Sequence, residues 1–402
     1  MVKETCLFLS NQNSNFKTIM KICIVTDTYP PEINGVAKTL FQISQDLKAL
    51  GHFVTIIRPN QKGEVSLSSS PHLTIVPSLP IPLYRGLRFG LPCRRLLKKM
   101  WTTEKPDIVY VATEGLLAIS AINVARKMKI AITSGCHTNF HKYMHHYRLP
   151  IMAKLTEHFL KKTHNKTLRT FAPTEDVIQQ LNQMGVNNTR LLSRGVDTEL
   201  YNPGKRNHTL RKSWGITSDD QCVALFVSRI AAEKNIPLAI QAFKKIKAAN
   251  PDTACIFVGD GPEKYRLQNK YPEFAFVGMQ TGEKLSEYYA SGDLFIFPSL
   301  TETFGNVIPE AMASSLIPIA FNYAAPKALI ENNVNGYLAD YNDSDSFLKT
   351  IDHALDKKNE WSKIRKNARQ TAENLNWKNI VKGFAGELNQ AYQEHRTYES
   401  DR

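Results

Sequence analysis

Two glutamates eight residues apart, Glu302 and Glu310, carry the clearest chemical signal in this sequence. The stretch they bound reads ETFGNVIPE, follows an apolar run typical of a strand, and leads into a helical pattern. The two carboxylates therefore bracket a predicted strand-to-helix turn. Main-chain N–H groups at such a turn favour phosphate or sugar oxygens, and here they belong to Phe304, Gly305 and Asn306. The alternative is a solvated loop glutamate followed by a glutamate on a helix surface.

Two cations, Arg229 and Lys234, follow another predicted strand, residues 222–227. On a strand-to-helix loop, an arginine fork and a lysine point charge can together hold a diphosphate. The competing interpretation is a solvated loop in which the arginine pairs with a glutamate. A GxGP pattern at residues 259–262 also follows a strand, but it indicates a tight turn more than a phosphate cradle.

Alternating strand and helix patterns run through the chain and would position these residues. Residues 21–26 form a continuous apolar run, residues 34–50 an amphipathic helix pattern, and residues 53–57 a second strand pattern. This order predicts a doubly wound α/β domain, and the series begins again at residue 222. Loops at the carboxyl ends of parallel strands meet at one edge of a sheet, so the two cations and two carboxylates are expected to converge.

The patterns divide the 402 residues into two domains with a flanking segment at each end. We expect a disordered leader at residues 1–19, α/β domains at residues 20–200 and 201–375, and a C-terminal helix at residues 376–402. That helix is expected to pack back toward the first domain. The apolar patch in the leader is too short for a signal-peptide core, and Met20 is a second possible start.

The first domain offers two further candidates, Gly35 and His137. Gly35 is the only glycine in the first strand-to-helix turn, so the GxGxxG pattern of NAD-binding folds is missing. A single glycine at a helix start can still admit a diphosphate closely. His137 follows the predicted strand at residues 130–134, where ligands bind in open α/β sheets. A histidine in this position is otherwise most often structural.

The net charge of +14 lies almost entirely in one half of the chain. Residues 1–200 hold 26 Lys and Arg against 13 Asp and Glu, whereas residues 201–402 hold 25 against 24. A basic half suggests an anionic partner, a lipid surface or nucleic acid, although no nucleic-acid motif is present. Residues 94–101 read RRLLKKMW, which suits either a helix at a membrane surface or an ordinary surface helix packed on the core.

A metal site is not expected. His141, His145 and His146 have helical spacing, but no acidic third ligand lies near them in sequence. The DxD pattern at residues 343–345 sits at a predicted helix start, where capping is the favoured role. The six cysteines are scattered without a CxxC pair, which favours reduced cytosolic thiols over disulfides or zinc.

Together, the R-x4-K and E-x7-E pairs in register resemble the retaining glycosyltransferases of family 4. The resemblance runs from Met20 to about Tyr392. It implies the GT-B fold, in which two Rossmann-like domains face each other across a cleft. The chain is most similar to bacterial GDP-mannose-dependent α-mannosyltransferases, and more distantly to sulfoquinovosyltransferases. The stretches that carry this likeness are PPEINGVAKTL, GLRFGLP, TSGCHTNFHKY, RGVDTELYNP and FNYAAPKALI.

The resemblance implies roles for the matched residues. Arg229 and Lys234 would hold the donor diphosphate and stabilise the leaving nucleotide. Glu302 would bind the hydroxyl groups of the donor sugar, and His137 would contact the transferred sugar, which makes these four the catalytic set. The implied donor-binding residues are Gly35 at the diphosphate, Gly278 and Met279 at the base, the backbone of Phe304, Gly305 and Asn306 at the sugar and phosphate, and Glu310 at the ribose.

The chain departs from the family pattern in two places. Ser315 stands where glycine is usual, and Ala324-Ala325 replaces a Gly-Gly pair, as in the mannosyltransferase subgroup. Neither change removes a chemical group, and the first is expected only to stiffen a turn.

The expected activity is transfer of a hexose, mannose from GDP-mannose, to a hydroxyl of a membrane glycolipid, without a metal or other cofactor. The first domain would face the acceptor and the second the donor, and the enzyme would be cytoplasmic and peripheral on the inner face of the plasma membrane. Alternatives are a glucosyl- or sulfoquinovosyltransferase that uses a UDP-sugar, a nucleotide-sugar isomerase, and a non-catalytic basic binding protein. The sequence does not indicate an oligomeric state.

Overall fold

The computed structural model describes residues 19–32, 34–61, 64, 69–70, 72–80, 88–137, 150–302 and 304–401. The expected leader therefore lies outside the described residues except for Ile19, and so do His141, His145 and His146. Within the described part, no helix is both long and apolar enough to cross a bilayer.

The strands and helices are numbered here in chain order. The strands are β1 (Lys21–Val25), β2 (Phe53–Pro59), β3 (Ser69–Ser70), β4 (Leu73–Val76), β5 (Ser78–Pro80), β6 (Arg88–Gly90), β7 (Ile108–Val111), β8 (Ala131–Gly135), β9 (Arg169–Ala172), β10 (Thr189–Leu191), β11 (Val223–Val227), β12 (Ala254–Val258), β13 (Ala275–Phe276), β14 (Leu294–Phe297), β15 (Ile317–Phe321) and β16 (Tyr337–Ala339). The α-helices are α1 (Gly35–Ala49), α2 (Arg94–Thr103), α3 (Leu116–Lys127), α4 (Pro150–His164), α5 (Glu175–Gln183), α6 (His208–Ser213), α7 (Ile236–Ala249), α8 (Lys264–Lys270), α9 (Gly282–Ala290), α10 (Val307–Ala313), α11 (Ala324–Leu329), α12 (Ser344–Asp356), α13 (Trp361–Glu373) and α14 (Trp377–Ser400).

The chain folds into two compact units. The first takes its described residues from Met1–Cys136, Lys162–Phe171 and Val381–Arg402. It is built around strands in the order β9-β8-β7-β1-β2-β4-β3. Strand β1 pairs in parallel with both β2 and β7, so the direction of winding reverses beside it. Strands β5 and β6 form a separate antiparallel hairpin.

Helix α1 shows how the sequence fixes these elements. The side chain of Asn34 caps the helix by accepting hydrogen bonds from the backbone N–H groups of Val36 and Ala37, at 3.1 and 2.8 Å. The buried stripe of the helix is Ala37, Leu40, Ile43 and Leu47. Capping and an apolar stripe at helical spacing therefore start and orient this helix as the sequence predicts.

The end of the chain completes the first unit. On α14, the ring of Phe384 packs against Tyr110 of β7 and Phe171 of β9, with centroids 5.0 and 4.8 Å apart. The buried guanidinium of Arg169 donates to Glu387 at 2.8 Å and to both carboxylate oxygens of Glu394 at 2.8 and 2.9 Å. Aromatic packing and a bidentate charge pair therefore hold α14 in this unit.

The second unit takes its described residues from His137–Lys161 and Ala172–Ile380. Its six-stranded parallel sheet has the order β13-β12-β11-β14-β15-β16, the doubly wound arrangement. Every residue of β11, β12, β14 and β15 is buried, because helices cover both faces of the sheet. The reversal of strand order falls between β11 and β14, so the loops after these two strands are neighbours.

A buried acid, Asp293, ties the second sheet to the helices around it. Its carboxylate accepts hydrogen bonds from Arg206 at 3.2 Å, Arg211 at 3.1 Å and Arg365 at 3.0 Å. It also accepts one at 2.9 Å from the backbone N–H of Val223, the first residue of β11. Asp293 directly precedes β14, so this cluster fixes the amino ends of the two strands that carry the predicted site.

The two doubly wound units confirm the predicted α/β fold class. The strands predicted at residues 21–26, 53–57, 130–134 and 222–227 are present, with ends that differ by up to two residues, whereas β3 and the β5–β6 hairpin were not predicted. Asp343 caps α12 by accepting from the backbone N–H of Ser346 at 2.9 Å, as expected for the DxD pattern. The facing of two domains across a cleft stays a prediction.

Candidate active site

The loops after β11 and β14 bring two of the predicted catalytic residues into contact. Lys234 ends a short 3₁₀ helix, Ala232–Lys234, and its ammonium donates a hydrogen bond to Oε1 of Glu302. The same oxygen accepts one from the hydroxyl of Ser299 at 2.8 Å. The side chains of Lys234 and Glu302 are 14% and 13% exposed, so little water screens the attraction between their charges.

Arg229 lies on the same loop as Lys234 but faces solvent. Its side chain is 52% exposed, and its Nη1 lies 3.7 Å from Oε1 of Glu233. The arginine–glutamate pair considered at the sequence level therefore exists. Since the guanidinium is half exposed and the ion pair is long, an anion of higher charge could replace Glu233 at small cost.

The glycines of the GxGP pattern support the loop that carries Arg229. A Cβ on Gly259 would lie 1.9 Å from the carbonyl oxygen of Ser228, and one on Gly261 would lie 2.2 Å from that of Ile230. Only glycine fits against that backbone, which explains the pattern as close loop packing. The prediction of a turn here is confirmed.

Gly305 turns the chain from the loop into α10. Its φ of +103° lies in the region that favours glycine. Phe304 before it is buried, and its carbonyl oxygen accepts a hydrogen bond from the N–H of Ala325 at 3.0 Å. Asn306 then leads into Val307, the first residue of the helix. The sequence therefore placed the turn correctly, while donor contacts of its backbone stay a prediction.

Glu310 sits on α10 in a buried position. Its Oε2 accepts a hydrogen bond at 3.2 Å from the hydroxyl of Tyr289, a fully buried residue of α9. Burial and the Glu310 carboxylate raise the pKa of Tyr289 well above its ordinary value, so this hydroxyl keeps its proton. One oxygen of Glu310 is thus held by the protein, and its contact with a ribose stays a prediction.

Gly278 and Met279 follow β13 on the same edge of the sheet. Gly278 has a φ of +75°, and its carbonyl oxygen accepts a hydrogen bond from the N–H of Gly259 at 2.9 Å. The side chain of Met279 is 55% exposed, which is high for a large apolar residue. An exposed, flexible thioether suits contact with the face of a base, and that contact stays a prediction.

His137 is buried, and a residue that the sequence analysis missed lies beside it. The guanidinium Nη2 of Arg194 lies 3.4 Å from Nδ1 of His137. The Cζ atom of the same guanidinium lies 5.9 Å from the ring centroid of Phe304. Burial, helped by the charge of Arg194, lowers the pKa of His137 to about 3. Because a guanidinium only donates, Nδ1 must accept and the ring proton sits on Nε2. A signal was available, since Arg194 opens the RGVD stretch.

The carboxyl edge of the first sheet holds Gly35 and a buried acid that sequence reasoning did not single out. Gly35 is the exposed first residue of α1. Asp27, just after β1, accepts hydrogen bonds from the N–H of Gly90 at 2.8 Å and the hydroxyl of Thr113 at 3.1 Å. Burial raises the pKa of Asp27 to about 6. This acid joins three loops of the first unit.

Among the residues that the structure describes, one group has the ligand types of a metal site. Glu114, Cys136 and His164 place their ligand atoms within 4.8 Å of one another in the first unit. Nδ1 of His164 is already 2.9 Å from the hydroxyl of Ser134, and Nε2 lies 3.6 Å from Glu114. The first contact is a hydrogen bond, whereas the second is a charge contact beyond hydrogen-bond length. The absence of a metal stays a prediction.

Two departures from the family pattern fall at left-handed backbone positions. Ser315 has a φ of +61° and Ala324 a φ of +55°. Both residues therefore adopt a conformation that glycine would take more easily. Asp176 of α5 holds the second of these turns, because its carboxylate accepts from Lys327 at 2.6 Å and from the N–H of Ala324 at 3.4 Å.

Comparison with known proteins places this site in a family. Residues 33–200 match the model of glycosyltransferase family 4, and residues 208–371 that of the group 1 glycosyl transferases. A GDP-mannose-dependent alpha-mannosyltransferase of Corynebacterium glutamicum is 32% identical over 84% of this chain and 80% of its own length. An alpha-monoglucosyldiacylglycerol synthase of Acholeplasma laidlawii is 27% identical over 83% of this chain and 88% of its own.

A solved structure shares the fold over nearly the whole chain. The sucrose-phosphate synthase of Thermosynechococcus elongatus aligns with a TM-score of 0.72, covering 94% of this chain and all of that one at 18% identity. Sequence and fold agree, and the chain belongs to family 4 of the glycosyltransferases.

Proposed function

We propose that this enzyme transfers mannose from GDP-mannose to a hydroxyl group of a membrane glycolipid, with retention of the anomeric configuration. The Corynebacterium relative supports the donor by its name, and the Acholeplasma relative supports a lipid acceptor by its own. The observation that carries the proposal is the largely water-shielded pair of Lys234 and Glu302, with Arg229 on the same loop.

The paired charges divide their work when the donor binds. Lys234 turns from Glu302 to the diphosphate, where Arg229 joins it, and Glu302 turns to the sugar hydroxyls. As the bond from C1 to the phosphate oxygen breaks, negative charge grows on the leaving diphosphate. Two cations held in place beforehand can supply several kcal/mol to this transition state. They take the role that a divalent cation has in other transferases.

The acceptor hydroxyl attacks C1 from the side that the diphosphate leaves. A new bond forms between C1 and the acceptor oxygen, and the hydroxyl proton passes to the departing phosphate oxygen, so no enzyme carboxylate needs to act as a nucleophile. His137 is neutral and carries its ring proton on Nε2, which makes it a donor to a sugar oxygen rather than a general base.

Helix α2 supports a membrane-bound acceptor. Leu97 and Trp101 are buried in the core of the first unit, so the apolar face of this helix is already used. The exposed face carries Arg94, Arg95, Lys98 and Lys99. The two interpretations of this helix combine, since it packs as an ordinary surface helix and still offers four cations to anionic headgroups. We therefore place the enzyme on the cytosolic face of the membrane, held by charge without insertion.

A donor panel tests the proposal. Release of nucleotide is measured from GDP-mannose, UDP-glucose, UDP-sulfoquinovose and UDP-GlcNAc, with and without membrane lipid. We expect lipid-stimulated release of GDP from GDP-mannose, and a loss of at least 100-fold in Arg229→Ala and Glu302→Gln, since both substitutions remove transition-state contacts. Arg266→Ala, which removes an exposed surface arginine, is the matched control.

The outcomes separate the parts of the proposal. Release of UDP from a UDP-sugar would show that the donor is a UDP-sugar instead of GDP-mannose, as in the glucosyl- or sulfoquinovosyltransferase alternative. Near-normal turnover of Arg229→Ala would overturn the diphosphate role. A changed donor without any acceptor would favour the isomerase.

A further inference from the structure

The loop that carries Glu302 is held in place largely by contacts from outside it. Residues 298–302 belong to no strand or helix, so no sheet ladder fixes their backbone. Two tyrosine hydroxyls reach its carbonyl oxygens instead. Tyr341 donates to the carbonyl of Leu300 at 2.7 Å, and Tyr323 donates to that of Glu302 at 3.0 Å. The N–H of Leu300 in turn points to the carbonyl of Glu233, at 3.4 Å.

The two tyrosines occupy equivalent places on neighbouring strands. Tyr323 stands two residues beyond the end of β15, and Tyr341 two residues beyond the end of β16. Because the sheet order is β14-β15-β16, both reach back across the carboxyl edge toward the loop after β14. Their rings pack on each other with centroids 4.8 Å apart, so each ring restricts the position of the other.

We propose that Tyr323 and Tyr341 are positioning residues that hold the Glu302 carboxylate at the place where it meets Lys234 and, when the donor binds, the sugar. This inference rests on the proposed role of Glu302. A carboxylate that selects a hydroxyl must be placed within about 0.5 Å, and a short irregular loop does not achieve that alone. Two hydrogen bonds to carbonyl oxygens two residues apart in the loop, from a pair of contacting rings tilted by 40°, supply the missing constraint.

The test uses binding, because binding can be measured on inactive variants. Wild type, Tyr323→Phe, Tyr341→Phe and the double variant are titrated calorimetrically with GDP-mannose and with GDP, and in parallel with UDP-glucose and UDP. Each lost hydroxyl should weaken binding of the sugar nucleotide roughly three- to tenfold, the usual range for one hydrogen bond. Affinity for the nucleotide alone should stay within twofold, since GDP and UDP carry no sugar for Glu302 to bind.

Tyr337→Phe is the matched control. Tyr337 lies on β16 and is buried, and its hydroxyl has no hydrogen-bond partner among the described residues. The same substitution at this position therefore removes a hydroxyl that holds nothing, and we expect both affinities to remain at the wild-type level.

A cycle with Glu302→Gln decides whether the tyrosines act through Glu302. If they do, Tyr323→Phe added to Glu302→Gln costs less than half of its effect alone. Equal weakening of sugar nucleotide and bare nucleotide, full additivity, or unchanged affinity of both tyrosine variants would each overturn the inference. If Glu302→Gln itself binds the sugar nucleotide normally, Glu302 does not bind the donor sugar, and the inference about the two tyrosines is wrong as well.

Discussion

At the scale of single residues, the site is poised between two sets of partners. Lys234 and Glu302 pair with each other in a place from which water is largely excluded, and Arg229 pairs loosely with Glu233. These two ion pairs balance each other's charges. Two cations and the two acids Glu233 and Glu302 can therefore share one sheet edge without strong repulsion. Under the proposed function, binding of an anionic donor exchanges these ion pairs for contacts with the donor.

The pH dependence of stability offers a test of the buried histidine. His137 has a pKa of about 3 in the folded protein and of about 6.5 when unfolded, so the unfolded chain takes up the proton first as pH falls. The contribution of His137 to stability is therefore complete above pH 6.5 and is lost as pH falls toward 3. Between pH 7 and pH 5 the loss is about 2 kcal/mol.

This loss is measured by urea unfolding of wild type and His137→Gln at both pH values. We expect the difference in unfolding free energy between them to shrink by that amount at pH 5. His353→Gln, at an exposed position, provides the control for a loss of one histidine. A wild type that loses no more stability than His137→Gln would show that His137 is protonated in the fold.

Residue identities predicted the charged pair well but could not predict its neighbours. Lys234 and Glu302 follow strands that end at one edge, and that topology alone brings them together. Arg194 and Asp27 were missed because what distinguishes them is that their charged side chains are buried. Burial of a charged side chain cannot be read from a loop sequence that mixes polar and apolar residues. The hydroxyls of Tyr323 and Tyr341 were missed because they act across the sheet on backbone atoms.

At the scale of elements, the predictable strands are those buried on both faces. Strands β11, β12, β14 and β15 read as unbroken apolar runs because helices cover both sides of them. The β5–β6 hairpin escapes this rule. Its strands have three residues each, which is too short for a recognisable apolar run. They also lack a clear alternation of polar and apolar residues, since Leu79 is followed by Pro80 and pairs with Phe89.

Helix α2 should carry much of the attraction to anionic membranes. Each basic residue near such a surface contributes about 1 kcal/mol, so changing Arg94, Arg95, Lys98 and Lys99 to Gln should weaken vesicle binding by at least 100-fold. Binding is measured by co-sedimentation with phosphatidylglycerol vesicles at low salt. The apolar face of α2 is untouched, so the fold and the affinity for GDP should not change.

A second variant has the same net charge as the first, but its four substituted basic residues lie in the second unit. Its substitutions change four exposed lysines to Gln: Lys349, Lys358, Lys363 and Lys366. We expect this protein to bind vesicles nearly as well as wild type. Equal weakening in both variants would assign the effect to net charge alone.

Helix α14 depends on the buried charge of Arg169. Arg169→Ala removes three hydrogen bonds to Glu387 and Glu394, whose carboxylates are 34% and 51% exposed and so can regain water. We expect a loss of about 1–3 kcal/mol and faster amide exchange over residues 381–400. The control is Lys129→Gln, which breaks a pair between an exposed lysine and the partly buried Glu399 on the same helix and should cost less than 1 kcal/mol. Equal exchange in the two variants would contradict a special role for Arg169.

At the scale of the whole molecule, the excess of positive charge and the donor chemistry belong to different halves of the sequence. The first 200 residues hold nearly all the excess, whereas the paired cations and acids of the site lie in the nearly neutral remainder. Under the proposed function, attraction to an anionic surface and selection of the donor can therefore vary independently. The amino-acid composition of the two halves was enough to predict this uneven distribution of charge. That Arg94, Arg95, Lys98 and Lys99 lie on an exposed helix face could be seen only in the structure.

The return of the chain end to the first unit has a consequence for synthesis. The second unit is complete in sequence by Ile380, whereas the first unit still lacks Val381–Arg402 at that point of synthesis. Phe384, Glu387 and Glu394 cannot reach Tyr110, Phe171 and Arg169 while they are still inside the ribosome. The unit whose synthesis begins first therefore completes its core only after the whole second unit has been made, which leaves its apolar surface exposed for longer.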